Sequence, residues 1–594
     1  MTHKYIFAGT LVALTMFSGC KEDFLERPPL DTLTTASFYK TDAQILSSTA
    51  PLYNVVWKSY HDQASFHIGD FRGGTTWYPW GTTGARESVL LRTTGVTQSS
   101  LDAYQAFYNV IGQSNMAIYN INKFAGPEVS EAAKNQAIAE ARFMRATAYT
   151  YLVMNFGEVP IITNNVEEMN NADIVRNTVP SIWEFITRDY LFAAENLPAT
   201  VSDAGRITKW SAEGMLARTY LTRAGVGQSG GNRDQAFLDK AKEYAERVIE
   251  MSGKQLIRPY EKLFMYPYDN NSESLFELEW ATTNNYDAAN TQTSQITPFA
   301  EIAVNNDGWG GGYGATYWML SLYDGLIDRG TLHDASGNPV PTDDGVRPGF
   351  TTDQRLKASY MLPGFVYPEI KVKRAFGPNK AGDALTVPDP GTSDLTSAFI
   401  KKYVVGNDMN GVPATQQRYP HNNYMLRLAE MYLIYVEAAI GNAESTTDQT
   451  TIDYFNVIRN RAGLPNHVGA IRMNRNYSEM FDPITSEPLY KDHVFEERAK
   501  EFAMEGMAWY DLVRLHYYNP EKAYAIINNQ DRGGYVAKPN RFPNPNGWSF
   551  TKTAWFTDRN AVVNSGNFYL QIPSVEISQS PSLTKPAVDY DFGG

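Results

Sequence analysis

The sequence predicts a mainly α protein in which tetratricopeptide-like helix pairs form a scaffold and a loop-rich, short-strand subdomain interrupts it. Two observations predict this class. Apolar residues recur at helical spacing in many segments, whereas the stretch 257–420 is rich in Gly, Pro, Asn, Asp and aromatic residues. The 594 residues are 43% hydrophobic and 13% aromatic, which is enough to bury a large core and excludes a disordered chain.

Three segments carry the clearest helical pattern, namely 137–155, 424–440 and 494–514. Each has an apolar stripe on one face, and Leu428 and Trp509 lie on two of these stripes, so we assign both to the core. Several helices follow one another as consecutive pairs, which is typical of a helical-repeat scaffold, although no clean 34-residue period is present. Further helices are predicted near 101–122, 181–196, 208–224, 234–251 and 451–462.

Short strands are predicted in the loop-rich stretch, at 274–280 and 399–405. Long irregular insertions on a rigid scaffold are common places for binding sites. No interdomain linker is evident. We therefore predict one unit over 20–594, with the helical scaffold at about 20–256 and 421–527, the loop-rich subdomain at about 257–420, and C-terminal loops at 528–594.

The N-terminus predicts an exported lipoprotein. A short basic start precedes an apolar stretch from Tyr5 to Phe17, and Ser18 and Gly19 stand directly before Cys20. The apolar stretch is shorter than the roughly 20 residues needed to span a membrane. Cys20 is the only cysteine, so a lipid attachment site explains it better than a disulfide, although an ordinary secretory signal before a coincidental cysteine is the alternative. We predict that 1–19 is a lipoprotein signal peptide and that the lipid on Cys20 is the only membrane anchor.

Composition and motifs exclude several functions. The chain carries 52 Lys and Arg against 65 Asp and Glu, a net charge of −13 without basic runs, which argues against nucleic acid as a partner. The eight histidines show no metal-ligand spacing and the single cysteine offers no thiolate cluster, so no metal is predicted. The glycine-rich stretch 308–314 lacks the Lys-Ser/Thr of a phosphate loop, and no G-x-S-x-G elbow occurs. We predict no cofactor.

Paired catalytic carboxylates leave no local spacing rule and are harder to exclude. The densest acidic group is Glu496, Glu497, Glu501 and Glu505, interspersed with basic residues on a predicted helix. A solvated or ion-paired helix face is the favoured interpretation over a catalytic site.

Aromatic residues in glycine- and threonine-rich loops suggest a binding site. An aromatic face stacks on the apolar face of a sugar ring, and neighbouring polar side chains hydrogen-bond its hydroxyls. A loop tryptophan that fills a local core is an equally good interpretation, so both remain open. If the loop tryptophans do not bind a glycan, Tyr286 and Trp318 are the next candidates for ligand contact. The predicted glycan-binding residues are Trp77, Trp80, Trp309 and Tyr313, with Asp70 and Arg72 as hydroxyl partners.

Ordered blocks occur along nearly the whole chain, at 20–29, 139–160, 206–221, 271–277, 427–437, 456–464, 497–514 and 570–577. Together these blocks resemble the SusD/RagB family of outer-membrane nutrient-binding lipoproteins. Lys21-Glu22-Asp23 also resembles the tag that routes lipoproteins of Bacteroidetes-type bacteria to the outside of the outer membrane. The chain is accordingly expected to be surface-exposed and lipid-anchored.

The resemblance implies four tetratricopeptide-like helix pairs and a SusC-like TonB-dependent transporter as the partner, over which this protein sits as a hinged lid. It also implies binding of nutrients, usually oligosaccharides, without cleavage, so no enzyme activity is expected. Family members place ligand-contacting aromatics in two loops, where this chain has Trp77, Trp80 and Trp309. One departure is that Gly69-Asp-Phe-Arg72 is followed by Gly73-Gly74, where the family often has Ser-Asp.

Two other functions remain as alternatives. A peptide- or protein-binding helical-repeat adaptor of the same transporter class would use the same scaffold. A glycoside hydrolase is favoured only by scattered carboxylates.

Overall fold

The computed structural model describes residues 38–78, 83–168, 171, 173–282, 286–303, 308, 313–323, 352–388, 398–405, 418–473, 492–539, 548–552 and 558–593. The predicted signal peptide, Cys20 and Lys21-Glu22-Asp23 lie outside these residues.

Helices dominate the described part of the chain, which contains ten helices of nine or more residues. Several begin with side-chain caps: Ser130, Asp234, Asp448 and Asn519 each accept a hydrogen bond from a backbone N–H of the first turn. The helices are α1 (Gln98–Phe124), α2 (Glu131–Phe156), α3 (Val179–Asn196), α4 (Lys209–Arg223), α5 (Gln235–Met251), α6 (Leu428–Ile440), α7 (Gln449–Arg461), α8 (His493–Glu501), α9 (Met507–His516) and α10 (Pro520–Asn529).

These helices pack as consecutive neighbours. The helices α1 to α5 each contact the next one along the chain, α5 contacts α6 across the long insertion, and α6 contacts α7. Their buried faces form one large core that includes Leu428 and Trp509, 1% and 0% exposed, which confirms their assignment to the core. The mainly helical, helix-pair fold predicted from the sequence is therefore confirmed.

The strands of the described residues are short, and six of the twelve lie in the loop-rich insertion at about 257–420. The strands β1, β3, β7 and β4 form one antiparallel sheet in that order, and β2 pairs with β8. The strands are β1 (Thr76–Trp77), β2 (Ser274–Leu278), β3 (Gly314–Ala315), β4 (Tyr360–Met361), β5 (Val366–Lys371), β6 (Ala384–Thr386), β7 (Phe399–Ile400), β8 (Asn423–Arg427), β9 (Ser445–Thr446), β10 (Ile471–Arg472), β11 (Tyr535–Pro539) and β12 (Trp548–Lys552).

Shorter helical segments connect these elements. Two consecutive π-helical segments, Tyr60–Ala64 and Phe66–Phe71, lead into β1. The other short α-helices are Asp42–Ser47, Thr83–Val89, Asn165–Glu168, Gln292–Ile296, Tyr317–Ser321, Gln354–Ser359 and Ser574–Gln579.

A second core lies in the loop-rich region. It contains Trp77, Tyr313 and Trp318 together with β4, β7 and the buried side of β5. The segment 274–278, in contrast, belongs to the helical core, because Leu275, Phe276 and Leu278 pack there.

Two predicted helices differ from the structure. The stretch 424–440 begins as β8, and helix starts only at Leu428. The stretch 494–514 is broken between α8 and α9, where Met504 and Gly506 adopt left-handed backbone conformations with φ of 63° and 75°. An apolar stripe by itself does not distinguish a buried strand or a broken helix from a continuous helix.

Candidate functional site

Strands β1 and β3 bring together the described ends of the two loops that are predicted to bind a glycan. Thr76 and Trp77 form β1, which pairs antiparallel with Ala315 and Gly314 of β3. The described ends of the loop around 71–81 and of the glycine loop 308–314 are therefore adjacent.

Trp77 does not offer a face to a ligand in this structure. Its side chain is 0% exposed, and a Cβ on Gly534 would overlap its indole ring, so the backbone of Gly534 lies directly against the ring. Tyr313 is 6% exposed and packs between other aromatic rings. Trp77 and Tyr313 fill the second core, so the structure contradicts the prediction that these two residues present their rings to a glycan. Trp80 and Trp309 lie outside the described residues, and their role stays a prediction.

Asp70 is a buried structural residue. Its Oδ1 accepts hydrogen bonds from Thr75 Oγ1 at 2.9 Å and from the backbone N–H of Met504 at 3.0 Å. Burial raises the pKa of Asp70 to about 7, although both hydrogen bonds favour the ionised form. Asp70 therefore holds the π-helical segment against the α8–α9 junction, and the prediction that it contacts sugar hydroxyls is wrong for this structure.

Arg72 is also buried. Its guanidinium lies 4.1 Å from the centre of the Trp509 ring and donates to the carbonyl of Phe568. Burial lowers the pKa of Arg72 to about 9. The predicted role of Arg72 as an exposed hydroxyl partner is wrong as well, because its side chain joins the loop to α9 and the C-terminal segment.

Glycines explain why this loop packs so closely on the scaffold. A Cβ on Gly69 would lie 2.8 Å from the Cα of Gly506, and one on Gly73 would lie 2.8 Å from the backbone nitrogen of Trp509. Real Cβ atoms do not approach backbone so closely, so the contact between the loop and the start of α9 requires glycine. The sequence Gly69-Asp-Phe-Arg-Gly73 is therefore a packing motif in this chain.

Tyr286 is an exposed aromatic residue that lies beside Lys58. Tyr286 is 41% exposed, and the Lys58 ammonium lies 4.4 Å from the centre of its ring. Lys58 Nζ also donates to Thr291 Oγ1 at 2.9 Å, and the Thr291 hydroxyl donates to Asp62 Oδ1. Burial lowers the pKa of Lys58 to about 8, while Asp62 and Asp287 act in the opposite direction.

Two aromatic stacks lie near Lys58 and Asp62. The ring of His61 stacks on Trp280 at 4.2 Å, and burial lowers the pKa of His61 to about 3, so it is neutral. Half-buried Tyr78 stacks on Tyr313 at 4.8 Å. The sequence pointed to Tyr286 only as a further candidate and did not indicate Lys58 or Asp62. Tyr286 lies close to Lys58 only because segments far apart in the chain are in contact. We call Lys58, Asp62, Tyr78 and Tyr286 the loop surface.

The acidic residues of α8 are ion-paired. Glu501 contacts Arg427 and Arg461, and Glu497 contacts Arg355. Although burial alone would raise the pKa of Glu501, the guanidinium groups of Arg461, Arg427 and Arg355 hold it well below its ordinary value. The interpretation as a paired helix face is confirmed for these residues, which are buried. Among the described residues no group of three His, Cys, Asp or Glu side chains is placed to hold a metal ion.

Two family models match the chain. The model described as the SusD family matches residues 272–590, and the model described as "Starch-binding associating with outer membrane" matches residues 80–221. Neither model is that of an enzyme. Within the described part of the chain, no helix has the length and apolar character needed to cross a membrane.

Individual proteins are similar over most of the length. The chain is 31% identical to a SusD-like protein of Bacteroides ovatus, covering 100% of this chain and 99% of that protein. It is 24% identical to the starch-binding protein SusD of Bacteroides thetaiotaomicron over 65% of each chain. A crystal structure described as containing a xylogluco-oligosaccharide is 29% identical, with a TM-score of 0.75 over 93% of this chain and 100% of the other. The chain belongs to the SusD family.

Proposed function

We propose that this protein is a cell-surface lipoprotein that captures an oligosaccharide and delivers it to a SusC-like TonB-dependent transporter. The observation that carries the proposal is similarity, over 100% of this chain to a SusD-like protein and over 93% of it to a structure described as containing a xylogluco-oligosaccharide. In the proposal the protein is not an enzyme and needs no cofactor. Acylated Cys20 anchors it in the outer membrane.

The residue types of the loop surface favour a carbohydrate as the ligand. Tyr286 presents an exposed ring, and the amine of Lys58 and the carboxylate of Asp62 lie beside it to bond sugar hydroxyls. Trp80 follows Tyr78 by two residues, and Trp309 precedes the buried Tyr313 by four. We therefore include Trp80 and Trp309 in the proposed site, whereas Trp77, Tyr313, Asp70 and Arg72 support it from the core.

Titration calorimetry with xylogluco-, laminari- and malto-oligosaccharides tests the proposal. Removing the Tyr286 ring by Tyr286→Ala is expected to weaken binding about 5- to 150-fold, which corresponds to roughly 1–3 kcal/mol for one stacking residue. The melting temperature should hardly change, since the ring is 41% exposed. Trp80→Ala and Trp309→Ala are expected to weaken binding similarly.

Tyr119→Ala is the matched control. Tyr119 is 40% exposed on α1 and also has a lysine, Lys123, at 5.0 Å from its ring. It lies outside the loop surface, so its variant should bind like the parent. Equal affinities for the parent, Tyr286→Ala, Trp80→Ala and Trp309→Ala would contradict the proposed site.

Calorimetry with peptides and an assay of reducing ends separate the alternatives. Binding of peptides but of no glycan would favour the adaptor interpretation, and release of new reducing ends during incubation would favour a hydrolase. Co-purification with a transporter barrel tests the proposed partnership on which delivery depends.

A further inference from the structure

A groove lies at the opposite end of α9 from the loop surface. Its volume is about 640 Å³, and it is lined by the start of α3, the loop 226–230 after α4, the α9–α10 junction 516–521 and Tyr569. The first residues of α9 pack on Gly69 and Gly73, which lead into β1, whereas its last residue, His516, lines the groove. A ten-residue helix is about 15 Å long, so the groove is separate from the loop surface.

Aromatic rings in this groove are held in fixed positions. The Trp183 indole N–H donates to Tyr517 Oη at 3.2 Å, and His516 Nε2 lies 2.9 Å from Tyr524 Oη. Tyr569 packs edge-on against His516 at 5.4 Å between ring centres. Because neighbouring side chains already fix these rings, a ligand that stacks on them pays little ordering entropy.

The lining is almost uncharged. Of the described residues that line the groove, Glu521 alone carries a charge at neutral pH, since burial lowers the pKa of His516 to about 4. Exposed Gln228 and Ser229 place an amide and a hydroxyl on the rim. No Lys or Arg belongs to this lining, so a sulfated or otherwise acidic ligand has no matching charge.

The rim leaves room for a ligand. Gly227 and Gly230 have φ of 75° and 66°, and a Cβ on either would meet no atom within 4 Å. The loop therefore turns sharply, with open space beside it. The volume falls within the roughly 300–1,000 Å³ typical of small-molecule sites.

We propose that this groove is a second carbohydrate-binding site, which takes a short neutral oligosaccharide on the rings of Tyr517 and Tyr569, with Gln228 and Ser229 bonding its hydroxyls. Fixed aromatic rings, neutral polar rim groups and the lack of a cation in the lining together match an uncharged sugar. The inference extends the proposed function to a second place on the molecule and rests on it for the choice of probes. Binding at both places would hold one glycan chain more tightly than either site alone.

Hydrogen exchange of the purified protein tests the groove directly. The probes are xylogluco-, laminari- and malto-oligosaccharides at saturating concentration, and the peptides to follow cover 226–230 and 516–521. At least one probe is expected to slow exchange in both segments. This protection should persist in Tyr286→Ala, which affects only the loop surface.

Gln228→Trp fills the groove from its exposed rim without altering the core. It is expected to abolish the protection of 226–230 and 516–521 and to leave protection of the loop surface unchanged. Gln449→Trp is the matched control, because Gln449 is an exposed glutamine on α7. Its exchange with and without glycan should match that of the parent.

The outcomes separate the two proposals. Protection of the loop surface without protection of the groove segments overturns the second site and leaves the proposed function intact. Groove protection that disappears in Tyr286→Ala also overturns it. If none of the glycans protects either place, both proposals fail.

Discussion

Trp77 shows how burial decides the role of a single residue. Its sequence context, a tryptophan in a glycine- and threonine-rich loop, fits both a stacking residue and a core residue. The structure favours the core because the ring is 0% exposed against the backbone of Gly534. Neither the burial nor the partner is visible in local sequence, since Gly534 is far along the chain.

Replacing Trp77 should therefore affect stability. Trp77→Ala is expected to lower the free energy of unfolding by about 3–5 kcal/mol, the usual cost of deleting a buried tryptophan side chain. Trp77→Phe keeps most of the apolar ring and should cost less. Denaturant unfolding of both variants measures the difference. A Trp77→Ala protein with parental stability but no glycan binding would show that the ring contacts ligand.

The buried Glu277 and the partly buried Glu279 make stability depend on pH. The side-chain N–H of Asn422 donates to Glu277 at 3.0 Å and to Glu279 at 2.9 Å, so the two groups are close. Burial raises the pKa of each to about 7, from 4.5. The unfolded chain loses these protons near pH 4.5 and the folded chain near pH 7, so stability falls as pH rises between these values.

Glu279→Gln should remove much of this penalty. The variant is expected to be more stable than the parent by about 1–2 kcal/mol at pH 8, after allowance for the partial exposure of Glu279, and nearly equal to it at pH 5. Thermal melts at both pH values test this. Glu243→Gln, an exposed carboxylate on α5, is the control. An equal difference from the parent at pH 5 and pH 8 would contradict the expectation.

At the scale of elements, the break between α8 and α9 has a specific cause. Gly506 begins α9 from a left-handed conformation and lies against Gly69 of the π-helical segment. A continuous helix over 494–514 would place a different backbone against Gly69. The break therefore allows the loop that leads to β1 to dock on the scaffold.

Gly69→Ala tests this docking. The new Cβ would lie 2.8 Å from the Cα of Gly506, and backbone on both sides must move, so a loss of about 1–3 kcal/mol is expected. Gly84→Ala is the matched control, because its Cβ would find its nearest neighbour at 3.8 Å. Chemical denaturation of both variants gives the comparison. Equal stabilities would show that the loop is not fixed by this contact.

Helical period identified most of the long helices, because each buries one continuous stripe. The predicted segments near 181–196, 208–224 and 234–251 agree with α3, α4 and α5 to within two residues. The site was less predictable. Local sequence marked Asp70 and Arg72 as polar loop residues, but their partners Met504 and Trp509 come from a distant helix junction. Contacts between distant segments decide which polar residues remain exposed.

At the scale of the whole molecule, one buried ionic network connects the insertion to the scaffold. Arg355, from the short helix Gln354–Ser359, contacts Glu497 at 2.7 Å and Glu501 at 3.4 Å on α8. Arg427 of β8 contacts Glu501 at 2.6 Å from the other side. All four side chains are nearly inaccessible to solvent, so each charge depends on its partners.

Arg355→Ala is expected to lower the free energy of unfolding by about 3–5 kcal/mol, because it leaves Glu497 and Glu501 under-paired in the interior. Arg374→Ala removes a 63% exposed partner of Glu301 at 2.8 Å and should cost about 1 kcal/mol or less. Thermal unfolding with limited proteolysis shows whether the insertion detaches first. Equal costs for both variants would contradict the role assigned to the network.

The lipid anchor proposed for Cys20 would determine where the whole protein acts. Cys20→Ala is expected to give exported protein that lacks lipid and leaves the membrane fraction, because the proposal assigns all membrane attachment to this residue. Its affinity for glycan in solution should equal that of the acylated protein, since neither proposed binding surface includes Cys20. Replacing Lys21-Glu22-Asp23 with alanines should preserve acylation but reduce cleavage by external protease. A Cys20→Ala protein that still fractionates with the outer membrane after its transporter is deleted would show that another element anchors it.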